Sequence, residues 1–324
     1  MLRRMRQPVE GPQPTIRFDP WCGDPTAAAV SAALDQGDVA TFAAEYERAD
    51  PLRREHLLFV AIIRESRPAV TRWPEIEPDR PIAWLALGAQ RVFEAWDARG
   101  SGQSDTVADN AWDVFFEHLR AAEADLRRSI ELHDDGVAWG ISLASGRGLQ
   151  ITTDELEARY ERVLDANPHL SYACDQLLQG LCKKWGGSHE KMFECARGIS
   201  GAIPDGDDRH RLIAIAHFEV LVELGDDEAS VHAYRNDVAV QNEIANAAMR
   251  SAFRPGYGMT PQERTTINWF AQVLGRFNRM DLARPLLEQI GASPCPDAWA
   301  YFADDAERTL GEWRTQAGLP RIPA

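Results

Sequence analysis

The sequence predicts an all-α chain, built as an α-solenoid or an array of antiparallel helical hairpins. Three observations carry that expectation. Apolar residues recur at three- and four-residue spacing along most of the chain, as one buried helix face requires. Cap signatures such as Asp24-Pro25, Asp50-Pro51 and Thr260-Pro261-Gln262-Glu263 stand at the heads of those segments. No alternating run of β-branched residues bounded by hairpin signals interrupts them.

Residues 1–20 carry four prolines without periodicity and read as a flexible tail or extended strap. Asp24-Pro25 opens an alanine-rich helix that ends at Gly37, Asp38 caps a second helix, and Asp50-Pro51 starts a third through Leu57, Leu58 and Ile62. Four prolines at positions 68, 74, 78 and 81 predict a structured loop and a first seam. Pro81 begins a long helix closed by Gly100, and a second long helix runs to about His133; such a pair packs antiparallel. A shorter helix over 136–150 contains Gly146-Arg147-Gly148, a second seam. Thr153 caps the next helix, with Leu156, Tyr160 and Val163 on its face, and Asn167-Pro168 closes it. Further helices are expected over 212–224 and 231–249, from Thr260, over 283–290, and from Pro296 through Trp313. The organisation is therefore a tail (1–20), an N-terminal helical region (21–150) and a C-terminal tetratricopeptide-like region (151–324).

Residues 170–199 read as a helical hairpin. Cys174, Leu177, Leu178, Leu181, Cys182 and Trp185 fall on one face of a helix that Gly186 stops, because glycine enters the left-handed conformation without penalty. Ser188 is placed to cap a following helix that turns Met192, Phe193, Ala196 and Ile199 back toward the first. The run Lys184-Trp185-Gly186-Gly187-Ser188, with Met192 and Ala196-Arg197 after it, resembles the Trp-Gly-Gly-Ser hairpin of an uncharacterised bacterial family with a tetratricopeptide-like helical fold. The likeness covers roughly residues 150–290. It implies a fold and brings no catalytic residues. The eight-residue separation of Tyr160 and Pro168 also looks like the aromatic and closing proline of one such repeat.

Composition narrows the function classes. With 50 acidic against 35 basic residues the net charge is −15, which disfavours nucleic acid and anionic membranes and suits a net-basic protein partner. The charged start, Met1 to Arg6, is followed by prolines and polar residues where a signal peptide needs an apolar core, and no run is long enough to span a bilayer. Five cysteines at no zinc-ligand spacing read as reduced, mostly buried thiols, and a cytoplasmic location is expected.

His210 and His217, seven apart, with Glu219 and Glu223 nearby, are the constellation that a hydrolytic or metal site would use. The spacing is looser than His-Glu-x-x-His or a paired Glu-x-x-His, so His217 reads as packed and His210 as exposed. His133-Asp134-Asp135 suits a helix end, and the glycine-rich pieces suit caps. Of the ten tryptophans, Trp84, Trp96, Trp112 and Trp185 lie on apolar stripes and are assigned to the core, whereas Trp21 and Trp73 lie in proline-rich stretches and are expected to be exposed. No catalytic residue, metal or cofactor is expected. The expected activity is binding of another protein or a peptide, with Trp185, Gly186, Gly187, Ser188, Tyr172 and Trp73 as candidate contact residues. The alternative is an enzyme site between helices on His210, His217 and neighbouring carboxylates.

Overall fold

The computed structural model describes residues 16–62, 66–100, 109–300, 306–320 and 322. Among these, the regular elements are seventeen α-helices and short 3-10 turns, with no strand. None of the helices is long and apolar enough to cross a membrane. The chain divides into two compact units: Asp24–Lys191, here the inserted unit, and Met192–Ala324 with Met1–Gly23, here the split unit. The boundary expected at residue 150 falls inside the inserted unit. Of the expected tail, residues 1–15 lie outside the described residues.

The inserted unit holds α1 (Pro25–Asp35), α2 (Val39–Arg48), α3 (Pro51–Ala61), α4 (Pro68–Ile76), α5 (Pro81–Arg99), α6 (Asp109–Leu132), α7 (Val137–Gly148), α8 (Thr153–Ala166) and α9 (Ser171–Gly180). The carboxylates of Asp24, Asp38 and Asp50 each accept from N–H groups of the first turn they precede. Thr152, one residue before the expected Thr153, caps α8 through the Glu155 N–H. α9 has no cap of its own. Glu55 of α3 supplies it from a distance, its two oxygens accepting from the N–H groups of Tyr172 (2.9 Å) and Ala173 (3.2 Å).

The stretch expected to be a loop at 68–81 contains α4. Pro68 occupies the first helical position, where its missing N–H costs nothing, and Pro74 sits inside the helix. An interior proline costs about 3 kcal/mol. Complete burial of Trp73 offsets it: the ring meets Phe42 edge-on at 6.2 Å, and its N–H reaches Glu77 at 3.2 Å. Buried Gln90 of α5 holds the helix in place, accepting from the Arg67 N–H at 2.7 Å and donating to Thr71 at 2.9 Å.

α7 is the hub, packing on α5, α6, α8 and α9 with nearly every residue buried. Gly146-Arg147-Gly148 is its last turn and not a seam. A Cβ on Gly148 would lie 2.5 Å from Leu119 and 2.8 Å from Phe115, so only glycine lets α6 approach this closely.

In the split unit, α10 (His189–Ala202) spans the division and is followed by α11 (Arg211–Leu224), α12 (Glu228–Arg235), α13 (Val238–Arg250), α14 (Pro261–Arg276), α15 (Met280–Ile290), α16 (Asp297–Ala300) and α17 (Ala306–Gln316). α11 is buried from Arg211 through Val220 and packs on α12, α13 and α14. The single helix expected over 231–249 is two, because Asp237 starts α13 by accepting from the N–H groups of Ala239 and Val240. The capping box forms as read: Thr260 accepts from the Glu263 N–H, and Glu263 accepts from that of Thr260. The last expected helix is α16 and α17, with residues 301–305 outside the described residues. Residues 16–19 lie along the segment before α16, through Arg17 N–H to Ala292 O (3.0 Å) and Asp19 N–H to Pro294 O (2.9 Å).

Candidate functional site

The corner after α9 differs from the hairpin expected. α9 ends at Gly180, since Cys182 is extended (φ −66°, ψ 148°), and Trp185 closes a separate 3-10 turn, Lys183–Trp185. Gly186 then takes the left-handed conformation (φ 91°, ψ 2°). A Cβ on Gly187 would overlap the Leu181 carbonyl, and Ser188 caps α10 by accepting from the Lys191 N–H at 3.1 Å. Trp185 is thereby taken off the α9 face and set half-buried among side chains of other helices.

Those side chains form an aromatic and arginine cluster. Trp96 and Arg99 come from the end of α5, Trp112 from the start of α6 and Arg147 from the last turn of α7. Trp96 and Trp185 meet edge to face, with centroids 5.4 Å apart and planes at 87°. The Arg147 guanidinium lies 4.4 Å from the Trp96 ring centre and 5.0 Å from that of Trp185, while its Nη2 donates to Gln176 at 3.0 Å. Arg99 lies 5.5 Å from Trp112, 5.7 Å from Trp185 and 5.8 Å from Trp96. Such contacts are worth about 0.5–2 kcal/mol each. The cluster is nevertheless not optimised for stability. Among the described residues the indole N–H groups of Trp96 and Trp185 are buried without an acceptor, a cost of about 1–3 kcal/mol each.

This arrangement changes the tryptophan assignments, and Trp21, expected to be exposed, is half-buried. Trp84, Trp96, Trp112 and Trp185, expected in the core, are each half-buried, whereas Trp73, expected to be exposed, is fully buried and leaves the candidate contact set. An apolar stripe buries the side of a ring that faces its helix neighbours and leaves the other side to whatever packs against it from elsewhere in the chain. Tyr172 packs against Phe59, with centroids 5.2 Å apart and planes tilted by 48°. Arg99 and Arg147 escaped notice. The signal for Arg99 was its place three residues after Trp96, but Arg147 was hidden inside a glycine-rich run that read as a break.

The histidines serve structure. His210, expected to be exposed, is completely buried. Its Nε2 pairs with the Pro204 carbonyl at 3.0 Å and so carries the proton, leaving Nδ1 to accept from Ser200 at 2.8 Å. His217 pairs through Nε2 with Glu243 (3.0 Å) and through Nδ1 with the Tyr234 hydroxyl (2.6 Å), and Phe193 and Phe277 cover its faces. Burial holds both imidazoles below their ordinary pKa, so His217 is neutral and donates to a carboxylate that Arg197 engages at 2.7 and 2.9 Å. Burial also pushes the Tyr234 phenol well above its ordinary range, which removes it as a nucleophile near neutrality. Glu219 is buried and Glu223 exposed. The two histidines bond to separate partners and share no reacting position.

A small cleft of about 180 Å³ lies between Tyr46, Arg54, Pro81, Ser129, His133 and Asp135, with the Tyr46 hydroxyl donating to Asp135 at 2.8 Å. It is smaller than ligand pockets usually are. Among the described residues, no group of three or more His, Cys, Asp and Glu side chains could hold a metal ion. Compared with known protein families, with curated proteins and with solved structures, the chain finds no match.

Proposed function

We propose that this chain is a non-catalytic, cytoplasmic helical-repeat protein, tetratricopeptide-like in the stacking of its helical pairs, that binds another protein or a peptide through the cluster of Trp96, Trp112, Trp185, Arg99 and Arg147. The observation that carries the reading is that three half-exposed tryptophans and two arginines from four elements converge in one place. Tryptophan and arginine are the residue types that dominate binding hot spots, and unsatisfied indole donors mark a place where stability has been given up. The acidic net charge supports a partner that is net basic overall, steered by the long-range field before the cluster engages. The enzyme reading has weaker support, since His210 and His217 each commit both ring nitrogens to structural partners.

The test is affinity capture from native lysate with the full chain and with Trp96→Ala/Trp185→Ala, circular dichroism confirming the fold of each. Loss of the captured protein from a folded double variant is the expected result. Undiminished capture would remove the cluster from the interface. For the purified partner, the association rate should fall as salt rises while the dissociation rate changes less.

A further inference from the structure

The split unit is discontinuous: the inserted unit separates the segment ending at Gly23 from the remainder beginning at Met192. Two backbone hydrogen bonds, from Arg17 and Asp19, and the buried Ile16 side chain hold that segment to its own unit. Beyond them the chain turns sharply. The Asp19 carboxylate accepts from the N–H groups of Trp21 (3.0 Å) and Gly23 (2.5 Å), and the Asp19 carbonyl accepts from Cys22 N–H (3.1 Å). This wrap holds Cys22 at φ 49°, a left-handed conformation that residues with a Cβ rarely adopt. The Cys22 thiol is thereby delivered to Thr265 of α14, with Sγ and Oγ1 3.6 Å apart. Cys295, immediately after the Pro294 carbonyl that Asp19 engages, brings its thiol to the same hydroxyl and to the sulfur of Cys22. Cys22 and Cys295 are 4% and 2% exposed. Cys174 and Cys182 differ, donating to the helix carbonyls of Leu170 and Leu178.

We propose that Cys22 and Cys295 are a redox-active dithiol that closes to a disulfide with a peroxide as oxidant, stapling the N-terminal strap to the body of the split unit. The hydrogen bond to Cys22, with burial, raises the Cys295 thiol, which suits Cys295 to the resolving step and leaves the first attack to Cys22. The Cys22 thiolate attacks one peroxide oxygen, the O–O bond breaks, and hydroxide leaves with a sulfenic acid on Cys22. Cys295 then gives its proton to that hydroxide, and its sulfur attacks Cys22, breaking the S–O bond and releasing a second hydroxide that solvent protonates. Two thiols lose two electrons in all, and the peroxide is reduced to two waters. The disulfide adds a covalent tie to the segment that the Arg17 and Asp19 hydrogen bonds and Ile16 already hold, and a thiol reductant reverses it.

The experiment treats the full chain with hydrogen peroxide, alkylates the remaining thiols and maps the peptides by mass spectrometry. The expected result is a thiol titre that falls from five to three, a Cys22–Cys295 linked peptide and recovery of all five thiols with dithiothreitol. In Cys295→Ser, dimedone should trap a sulfenic acid on Cys22 and no linked peptide should form, while Cys195→Ser should still form the Cys22–Cys295 link. Linkage through any other pair, or oxidation of wild-type Cys22 to sulfinic acid without linkage, would overturn the proposal. The wild-type map decides the question even where a variant fails to fold.

Discussion

The cluster around His217 in the split unit and the cluster around Trp185 in the inserted unit are built alike and end in opposite states. Each gathers aromatic rings from several helices around a polar centre and places an arginine against them. Around His217 both ring nitrogens are bonded, Arg197 balances the charge of the Glu243 carboxylate, and His217 is 2% exposed. Around Trp185 two indole donors have no acceptor and three rings remain partly open. The residue types most suggestive of chemistry were assigned to holding helices together, and those most suggestive of packing were left at the surface. Polar satisfaction, rather than residue type, separates the sealed cluster from the one proposed as a contact site.

The largest expected effect that would break this contrast is on stability. His217→Ala removes a buried ring and leaves Tyr234 and Glu243 without a partner, which should lower unfolding free energy by about 3 kcal/mol. Urea denaturation measures it, and a loss below about 1 kcal/mol would mean the cluster is not sealed. Trp185→Ala should cost only about 1–2 kcal/mol, because part of the ring already meets water and its unsatisfied N–H is removed with it. The same variant should weaken partner binding at least tenfold, about 1.4 kcal/mol, by titration calorimetry.

Acidity should sharpen the contrast further. Both histidines are held below their ordinary value of 6.5, so the unfolded chain binds more protons beneath that pH and their contribution is lost as pH falls. The slope is at most about 1.4 kcal/mol per pH unit for each group. Asp125 in the inserted unit acts in the opposite sense. Burial raises it from 3.8 to about 6 against the attraction of Arg91 at 2.5 Å, so its contribution is present below pH 3.8 and is lost as pH rises through about 6. Carbon-13 NMR of the Asp125 carboxyl should show a midpoint near pH 6, and an ordinary aspartate midpoint would sink that assignment. Asp24 acts at lower pH than these groups. Burial raises its carboxyl, but the His56 ring nitrogen 3.3 Å away and the hydrogen bond from Arg53 outweigh this and hold it well below the ordinary 3.8, so stability present above that pH is lost on further acidification. Asp24→Asn should flatten the acid limb of the stability curve below pH 3.8.

Helix caps were the most legible feature. Asp24, Asp38, Asp50, Ser188 and Thr260 all cap where the sequence placed them, because a cap is a contact among residues two or three apart. The break at Asn236-Asp237 was missed although an aspartate cap marks it. α4 was missed because two prolines outweigh nine residues of pattern when propensity is read alone. The candidate site was legible only in part: Trp185 and the glycines after it were singled out, but Arg147 and Trp96 join them across 38 and 89 positions of sequence.

By itself the sequence determined the all-helical class, the acidic surface and most helix starts, since periodicity, net charge and capping are local or additive properties of the chain. The tertiary structure decided which tryptophans face water, that His210 is buried, and that Cys22 meets Cys295. Burial and polar pairing depend on what packs against a residue from elsewhere in the chain, and that neighbour is written at no fixed distance along it.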